Sequence, residues 1–407
     1  MEKYGLLGRK LAHSYSPAIH GMLAGYDYSL FEREPEQLED FLKNGEWAGL
    51  NVTIPYKKAA LPFCAELSPL ARRIGSVNTL VRRSDGSVFG DNTDAYGFEK
   101  LLLKNHIDPA GLKALVLGSG GASLMAVEVL KDLGASCVKV ISRSGEDNYD
   151  NLEKHRDAGI IVNTTPLGMY PNNGQAAIDL TRFPQCRGVV DLVYNPARTA
   201  LLLQAEKLEI PCAGGLYMLV AQAKRSAELF TGRPIADDEI TRTELALSAQ
   251  MRNIILVGMP SSGKSTIASA LAEKLGRPLY EADALAEETA GMTIPEVFAS
   301  QGEAGFRALE TQVLSQLGKL SGAVISTGGG CVTREENYPL LHQNGLIVWL
   351  LRDVEKLVKT GRPISLKSDL NQLFSQREPR YRRFADVVVD NNGSIDETLI
   401  QLLEAIK

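Results

Sequence analysis

At 407 residues the chain is too long for a single hydrophobic core, and two or three domains are expected. An apolar fraction of 44%, a net charge of −5 and the absence of any basic run or basic–aromatic patch argue against a nucleic-acid coat and for small-molecule chemistry. Five scattered cysteines without a CxxC pair suggest neither zinc nor a disulfide framework, MEKYGLLGRKLAHS lacks a signal-peptide core, and no apolar stretch reaches the ~18 residues of a membrane span, so a cytoplasmic location is expected.

The first hundred residues set polar clusters between short apolar runs: HSYSP at 13–17, GLNVTIPYK at 49–57, GSVNTL at 75–80 and GDNTDAYGF at 90–98. Such clusters at strand ends suit a polyol-binding site, although each alone is also ordinary turn chemistry. An apolar strand at 114–117 then runs into Gly118-Ser119-Gly120-Gly121-Ala122 and a helical stretch at 125–133, with Ser123 standing where G-x-G-x-x-G has its third glycine. A second strand at 137–141 ends in Ser142-Arg143-Ser144. An arginine there suits a ribose 2′-phosphate and favours NADP, while Glu146 and Asp147 keep NAD open.

Strands at 160–163, 188–192 and 210–213 alternate with helices, including 199–208, as in an open parallel sheet. NTTPLGM, ending at Met169, and VYNP, containing Tyr194, sit at carboxyl ends of these strands, where a doubly wound sheet binds ligands. Helices at 217–230 and 236–249 follow. A buried strand at 251–257 then leads into Gly258 to Ser265, which fits G-x-x-x-x-G-K-[ST] ahead of a helix. In that loop Gly258, Ser261, Ser262, Gly263 and Thr266 supply backbone to phosphates, Lys264 reaches the β/γ oxygens and the Ser265 hydroxyl ligates Mg²⁺, so ATP or GTP is the implied ligand.

Through HSYSP, NVTIPYK, VNTL, GDNTD, GSGGA, NTTPLGM, DLVYNP and GLYMLVAQA, residues 1 to about 248 resemble shikimate dehydrogenase. That resemblance implies an α/β substrate domain at 1–101, completed by helices at 222–248, beside a Rossmann-like NADP-binding domain at 102–221. It further implies Lys57 and Asp94 as the catalytic pair, with Ser14, Ser16, Thr53, Asn78, Tyr194 and Gln222 on the substrate and Gly215 and Met169 beside the cofactor. Lys57 would stabilise and protonate the oxygen that gains charge during hydride transfer. Ala95 stands for the glycine usual after GDNTD, and Lys10 for a proline.

Residues 251–407 resemble shikimate kinase, a P-loop fold with a parallel sheet, through Asp283 in EADALAEETAG, GEAGFRALE, STGGG, GRPI and REPRYRRFA. The resemblance implies Asp283 as base, Arg307 and Arg377 on the substrate carboxylate, Gly328, Gly329 and Gly330 against the substrate, Arg362 on the transferring phosphates, and Glu281 with Ser265 on Mg²⁺. Arginine suits the carboxylate because its planar fork meets both oxygens. Together the two resemblances imply consecutive reactions: NADPH-dependent reduction of 3-dehydroshikimate, then ATP-dependent phosphorylation of shikimate. The alternative is a shikimate/quinate dehydrogenase carrying a catalytically weak ATP-binding regulatory module, suggested by Glu281 in place of an aspartate and by a compact lid. Oligomeric state is not legible.

Overall fold

The computed structural model describes residues 3–11, 14–357 and 370–406. By contact density the chain forms two units, Met1–Met169, Gln175–Tyr194 and Thr199–Leu247 in one, and Tyr170–Gly174, Asn195–Arg198 and Ser248–Lys407 in the other.

In the first unit, short runs build a six-stranded mixed sheet whose central strands are buried and whose edge strands are partly exposed. Its strands are β1 (Tyr4–Gly8), β2 (Tyr28–Glu32), β3 (Gly49–Val52), β4 (Glu66–Leu67), β5 (Thr79–Arg82) and β6 (Val88–Asp91), in the order β2-β1-β3-β5-β6-β4. β1 runs parallel to β2 and β3, whereas β5 is antiparallel to β3 and β6. Every residue of β1 and β3 is buried, and Leu7, Leu50, Val52 and Leu80 pack with Phe41 and Trp47 in one core. Helices Thr93–Lys104 and Leu216–Thr231 lie close together because residue 97 is glycine: a Cβ there would come 2.6 Å from the Met218 carbonyl oxygen.

The same unit holds a second sheet, fully parallel, of β7 (Lys113–Leu117), β8 (Cys137–Ile141), β9 (Ile160–Asn163), β10 (Gly188–Asp191) and β11 (Cys212–Gly214), in the order β11-β10-β9-β7-β8. The chain reverses direction across the sheet between β7 and β9, which opens a crevice at their carboxyl ends.

The second unit contains β12 (Asn253–Val257), β13 (Leu279–Glu281), β14 (Val324–Ser326), β15 (Gly345–Leu351) and β16 (Val387–Asp390), all parallel, ordered β13-β14-β12-β15-β16. Ile254, Leu256, Val324, Val348 and Leu350 face one core and Ile255, Val257, Ile325, Ile347 and Trp349 the other, the double burial that parallel sheets impose.

The α/β class expected from the sequence is the one observed, with boundaries that move for local reasons. The strand expected from 251 starts at Asn253, because Met251 closes helix Asp238–Met251 and the Asn253 side chain bridges Leu320 O (2.6 Å) and Ala323 N (3.0 Å). The helix expected from 125 begins four residues earlier, at Gly121, directly after the glycine turn. The strand expected at 210–213 shifts to Cys212–Gly214, as Pro211 offers only its carbonyl, to Val189 N.

Candidate active sites

Three candidate regions lie at strand ends. In the first sheet, Lys57 stands midway along the loop that follows β3, and its carbonyl accepts from Val77 N at 2.9 Å, tying that loop to the segment that leads into β5. Asp94 stands in the first turn of helix Thr93–Lys104, where the helix N-terminus favours a carboxylate. Lys57 Nζ donates to Asp94 Oδ2 at 2.6 Å, and Asn78 Nδ2 donates to Asp94 Oδ1 at 2.9 Å. The side chains of Lys57 and Asp94 are 25% and 17% exposed, shielded yet reachable. Gln222 Oε1 accepts from Asn78 Nδ2 at 3.4 Å, so Lys57, Asp94, Asn78 and Gln222 form one polar cluster.

Beneath that cluster lies a buried network that joins residues of three of the quoted motifs to Ser226, which no motif contains. Asn51 Nδ2 donates to Ser226 Oγ (2.8 Å) and Thr79 Oγ1 (3.2 Å), and the hydroxyls of Thr79, Thr93 and Ser226 lie within 3.1 Å of one another. Thr93 N donates to Asn78 Oδ1 at 2.7 Å, which orients the Asn78 amide towards Asp94. Fully satisfied buried networks of this kind fix side-chain geometry.

Ser14 and Ser16 sit together at the start of helix Ser16–Ala24, with Ser14 Oγ accepting from Ser16 N at 3.2 Å. Tyr15 between them packs edge-on against Tyr194, ring centroids 6.1 Å apart, and burial raises the pKa of both phenols. Thr53 is anchored by its amide to Leu7 O at 2.9 Å, one strand over. Among the described residues no hydrogen bond joins this group to Lys57 or Asp94.

The second region is the crevice of the parallel sheet. Gly118 has φ +107, and a Cβ there would press on Thr164 and Thr165 at 2.9 Å, so only glycine permits the turn. Ser119 precedes Gly120 and Gly121, at which a Cβ would meet open space; the backbone is thus open to close approach. Helix Gly121–Asp132, with Ala122 in its first turn, has no side-chain cap, so its leading amides suit a pyrophosphate. These features fit a dinucleotide.

Ser142, Arg143 and Ser144 follow β8, and Arg143 is exposed with no ion pair among the described residues. Asp147, an acid that could have served a ribose hydroxyl, is held by His155 Nε2 at 2.9 Å and Lys139 at 3.5 Å. Met169 is exposed, and Gly215 caps helix Leu216–Thr231 beside the Leu192 backbone. Asp191, fully buried, accepts from Asn163 Nδ2 (2.9 Å), Val193 N (3.0 Å) and Thr199 Oγ1 (2.6 Å), linking NTTPLGM to the loop that carries Tyr194. Burial pushes its carboxyl up to about 6.

The third region belongs to the last sheet. Gly258, Ser261 and Gly263 all have positive φ, which curls the loop between β12 and helix Lys264–Leu275. Lys264 Nζ donates to Gly258 O (3.0 Å) and Met259 O (2.9 Å), Ser262 Oγ is buried without a partner, and Thr266 is exposed on the helix. A buried ammonium and an orphaned hydroxyl suit a polyphosphate. Ser265 Oγ lies 2.8 Å from Glu281 Oε2, a pair of hard oxygen donors that suits Mg²⁺, an ion that takes much of its shell from water and phosphate.

Across from that loop, the three glycines after β14 sit under charged side chains. A Cβ on Gly328 would come 2.5 Å from Glu310 Oε1 and 2.8 Å from Asp283 Oδ1, and one on Gly330 would overlap the Arg307 guanidinium. Arg377 Nη1 donates to Gly329 O at 2.9 Å, and the Tyr381 hydroxyl donates to the same oxygen. Arg307 is buried and donates to Glu310 Oε2 at 2.7 Å, while Arg307 Nε and Glu310 Oε1 are left buried without partners. Burial pushes the Glu310 carboxyl up, and the Arg307 guanidinium beside it opposes that shift. Glu310 and Tyr381 were not singled out from the sequence, though each lies within a quoted motif. Arg362 lies outside the described residues.

The shikimate kinase family model matches residues 260–407, and that of the shikimate dehydrogenase substrate binding domain matches residues 6–80. A shikimate dehydrogenase (NADP⁺) of Clostridium perfringens is 34% identical over 253 residues, which are 57% of this chain and 93% of that protein. Among solved structures, a chorismate mutase/shikimate 5-dehydrogenase fusion protein from Clostridium acetobutylicum is 36% identical with a TM-score of 0.58, covering 61% of this chain and 97% of its own. The shikimate 5-dehydrogenase of Thermus thermophilus in complex with NADP(H) and shikimate is 33% identical with a TM-score of 0.55, covering 60% and 98%. Among the described residues no helix is long and apolar enough to cross a membrane.

Proposed function

We infer that this chain, which belongs to the shikimate dehydrogenase family and carries a shikimate kinase domain over residues 260–407, reduces 3-dehydroshikimate with NADPH and then phosphorylates the shikimate it has made. The observation that carries this reading is that the two family matches fall on successive parts of one chain and concern the same ring acid.

In the first reaction, NADPH supplies the hydride. As charge builds on the ketone oxygen, the Lys57 ammonium stabilises it and gives up a proton to it. Asp94 holds Lys57 at 2.6 Å and offers its other oxygen, already met by Asn78, to the ring hydroxyls. Gln222 and Thr53 hold further hydroxyls, while Ser14, Ser16 and Tyr194 receive the carboxylate. Arg143, without an ion pair among the described residues, supports a preference for the 2′-phosphate of NADP.

In the second reaction, MgATP supplies the phosphoryl group. Arg307 and Arg377 grip the ring carboxylate, Asp283 accepts the proton of the attacking hydroxyl, and Lys264 offsets charge on the phosphates. Glu281, one carbon longer than aspartate, keeps its carboxylate at Ser265 and so supports the metal role.

Two variants of the whole chain test the assignment. Lys57→Met is expected to cut NADPH oxidation with 3-dehydroshikimate by about 10²- to 10⁴-fold while leaving phosphorylation of added shikimate intact; Lys264→Ala should do the reverse. Loss of both activities in either variant, or of neither, contradicts the division of labour.

A further inference from the structure

We propose that Arg352, a residue outside every motif quoted above, is a nucleotide-phosphate ligand of the phosphate loop. This inference rests on the reading of residues 258–266 as an ATP site.

Arg352 directly follows β15, whose register pairs Trp349 with Val257, so the two strands end side by side and release Arg352 next to the loop that opens at Gly258. A Cβ on Gly263 would lie 3.5 Å from Arg352 Nη1 and 3.2 Å from Asn391 Nδ2, which places a guanidinium and an amide over the backbone of the glycine that precedes Lys264. Asn391 is held in place: its Nδ2 donates to Ser262 O at 2.6 Å, and its Oδ1 accepts from Thr398 Oγ1 at 2.8 Å.

Arg352 has no such anchor. It is half-buried, its Nε is buried with no hydrogen-bond partner, and no carboxylate pairs with it among the described residues. The adjacent acid is already engaged, Asp353 meeting Asn392 Nδ2 at 3.2 Å and Lys356 at 3.4 Å. A partly desolvated guanidinium without a counter-ion is costly unless an anion completes it. The anion that this loop is shaped to receive is a polyphosphate, and the arginine fork meets phosphate oxygens two at a time.

Calorimetric titration of the full chain with MgADP, beside an NMR titration with adenosine, tests the proposal. Arg352→Ala is expected to weaken MgADP by about 10- to 100-fold while adenosine affinity stays within about twofold of wild type, since only the phosphates are lost from the contact. Arg352→Lys should fall between, retaining charge without the fork. The melting temperature of the ligand-free protein should be unchanged or higher in Arg352→Ala, because no internal bond is removed. Undiminished MgADP binding in Arg352→Ala overturns the proposal, as does an equal loss of adenosine, which would put the guanidinium on the base. If wild type itself binds no MgADP, the ATP-site reading falls, and this inference with it.

Discussion

Replacing Asp94 by Asn removes one charge and almost no volume, at a position where both carboxylate oxygens are engaged. Asn78 Nδ2 donates to Oδ1 and Lys57 Nζ to Oδ2, so the new amide can satisfy only one of them. With its oxygen towards Asn78, its NH₂ group faces the Lys57 ammonium and the 2.6 Å contact is lost. A hydrogen bond between charged groups is worth about 1.5–3 kcal/mol, which at 1.36 kcal/mol per decade predicts a fall in dehydrogenase kcat of roughly 10- to 150-fold. Lys57→Met should cost about 10²- to 10⁴-fold, the range for a lost general acid. The cycle of both changes is the sharper measurement. In the Lys57→Met background Asp94→Asn should cost less than about threefold, because the lysine it positions is gone. Steady-state NADPH oxidation across the four proteins, with NADPH affinity and melting temperature as controls, gives the coupling. An undiminished effect of Asp94→Asn without Lys57, or an Asp94→Asn enzyme within about twofold of wild type, would show that Asp94 does not act through Lys57.

Glu310→Gln keeps the shape beside Arg307 but removes its counter-charge, so the KM for shikimate should rise by about tenfold or more with little change in the KM for ATP; equal rises in both would contradict a role confined to the carboxylate side. Gly330→Ala should be still more damaging to phosphoryl transfer, since its methyl overlaps the Arg307 guanidinium, and it should leave NADPH oxidation untouched. His20 is fully buried, stacked on Tyr28 at 4.0 Å and held neutral, burial having lowered its pKa from 6.5 to about 3. Its folded pKa lies below the unfolded one, so the unfolded chain binds the extra proton: the contribution is intact above pH 6.5 and shrinks by up to about 1.4 kcal/mol per unit as pH falls towards 3. Chemical denaturation of wild type and His20→Leu between pH 7 and 4.5 should show that slope in the difference between the two proteins, since groups such as Asp191 titrate in both. Arg143→Asp should move preference from NADPH towards NADH, read as the ratio of kcat/KM values; an unchanged ratio would remove Arg143 from cofactor choice.

Much of the fold was legible because parallel strands announce themselves as short, largely apolar runs: β8 and β9 have the very bounds expected, and the loops at Gly118 and Gly258 were visible as glycine patterns. The strand start at Asn253 was not, since Met251 is as suitable for a strand as for the helix end it occupies, and only the long-range bonds of Asn253 decide the matter. Candidate site residues could be named from local motifs in the sequence. The contacts that hold them could not: Asn51, Thr79 and Thr93, each within a motif, meet Ser226 across separations of up to 175 residues, and a buried serine in a helix carries no local mark. Glu310 illustrates the same limit from the opposite side, for its place three residues after Arg307 also reads as a surface helix pair until burial gives it another meaning.

The proposed function has one ring acid leave the first site and enter the second. Its most direct measurement is phosphorus NMR of the purified chain given 3-dehydroshikimate, NADPH and MgATP together, with no shikimate added. Appearance of shikimate 3-phosphate in an amount equal to the NADPH oxidised is the predicted result; NADPH oxidation with shikimate accumulating and no new phosphate ester would contradict it.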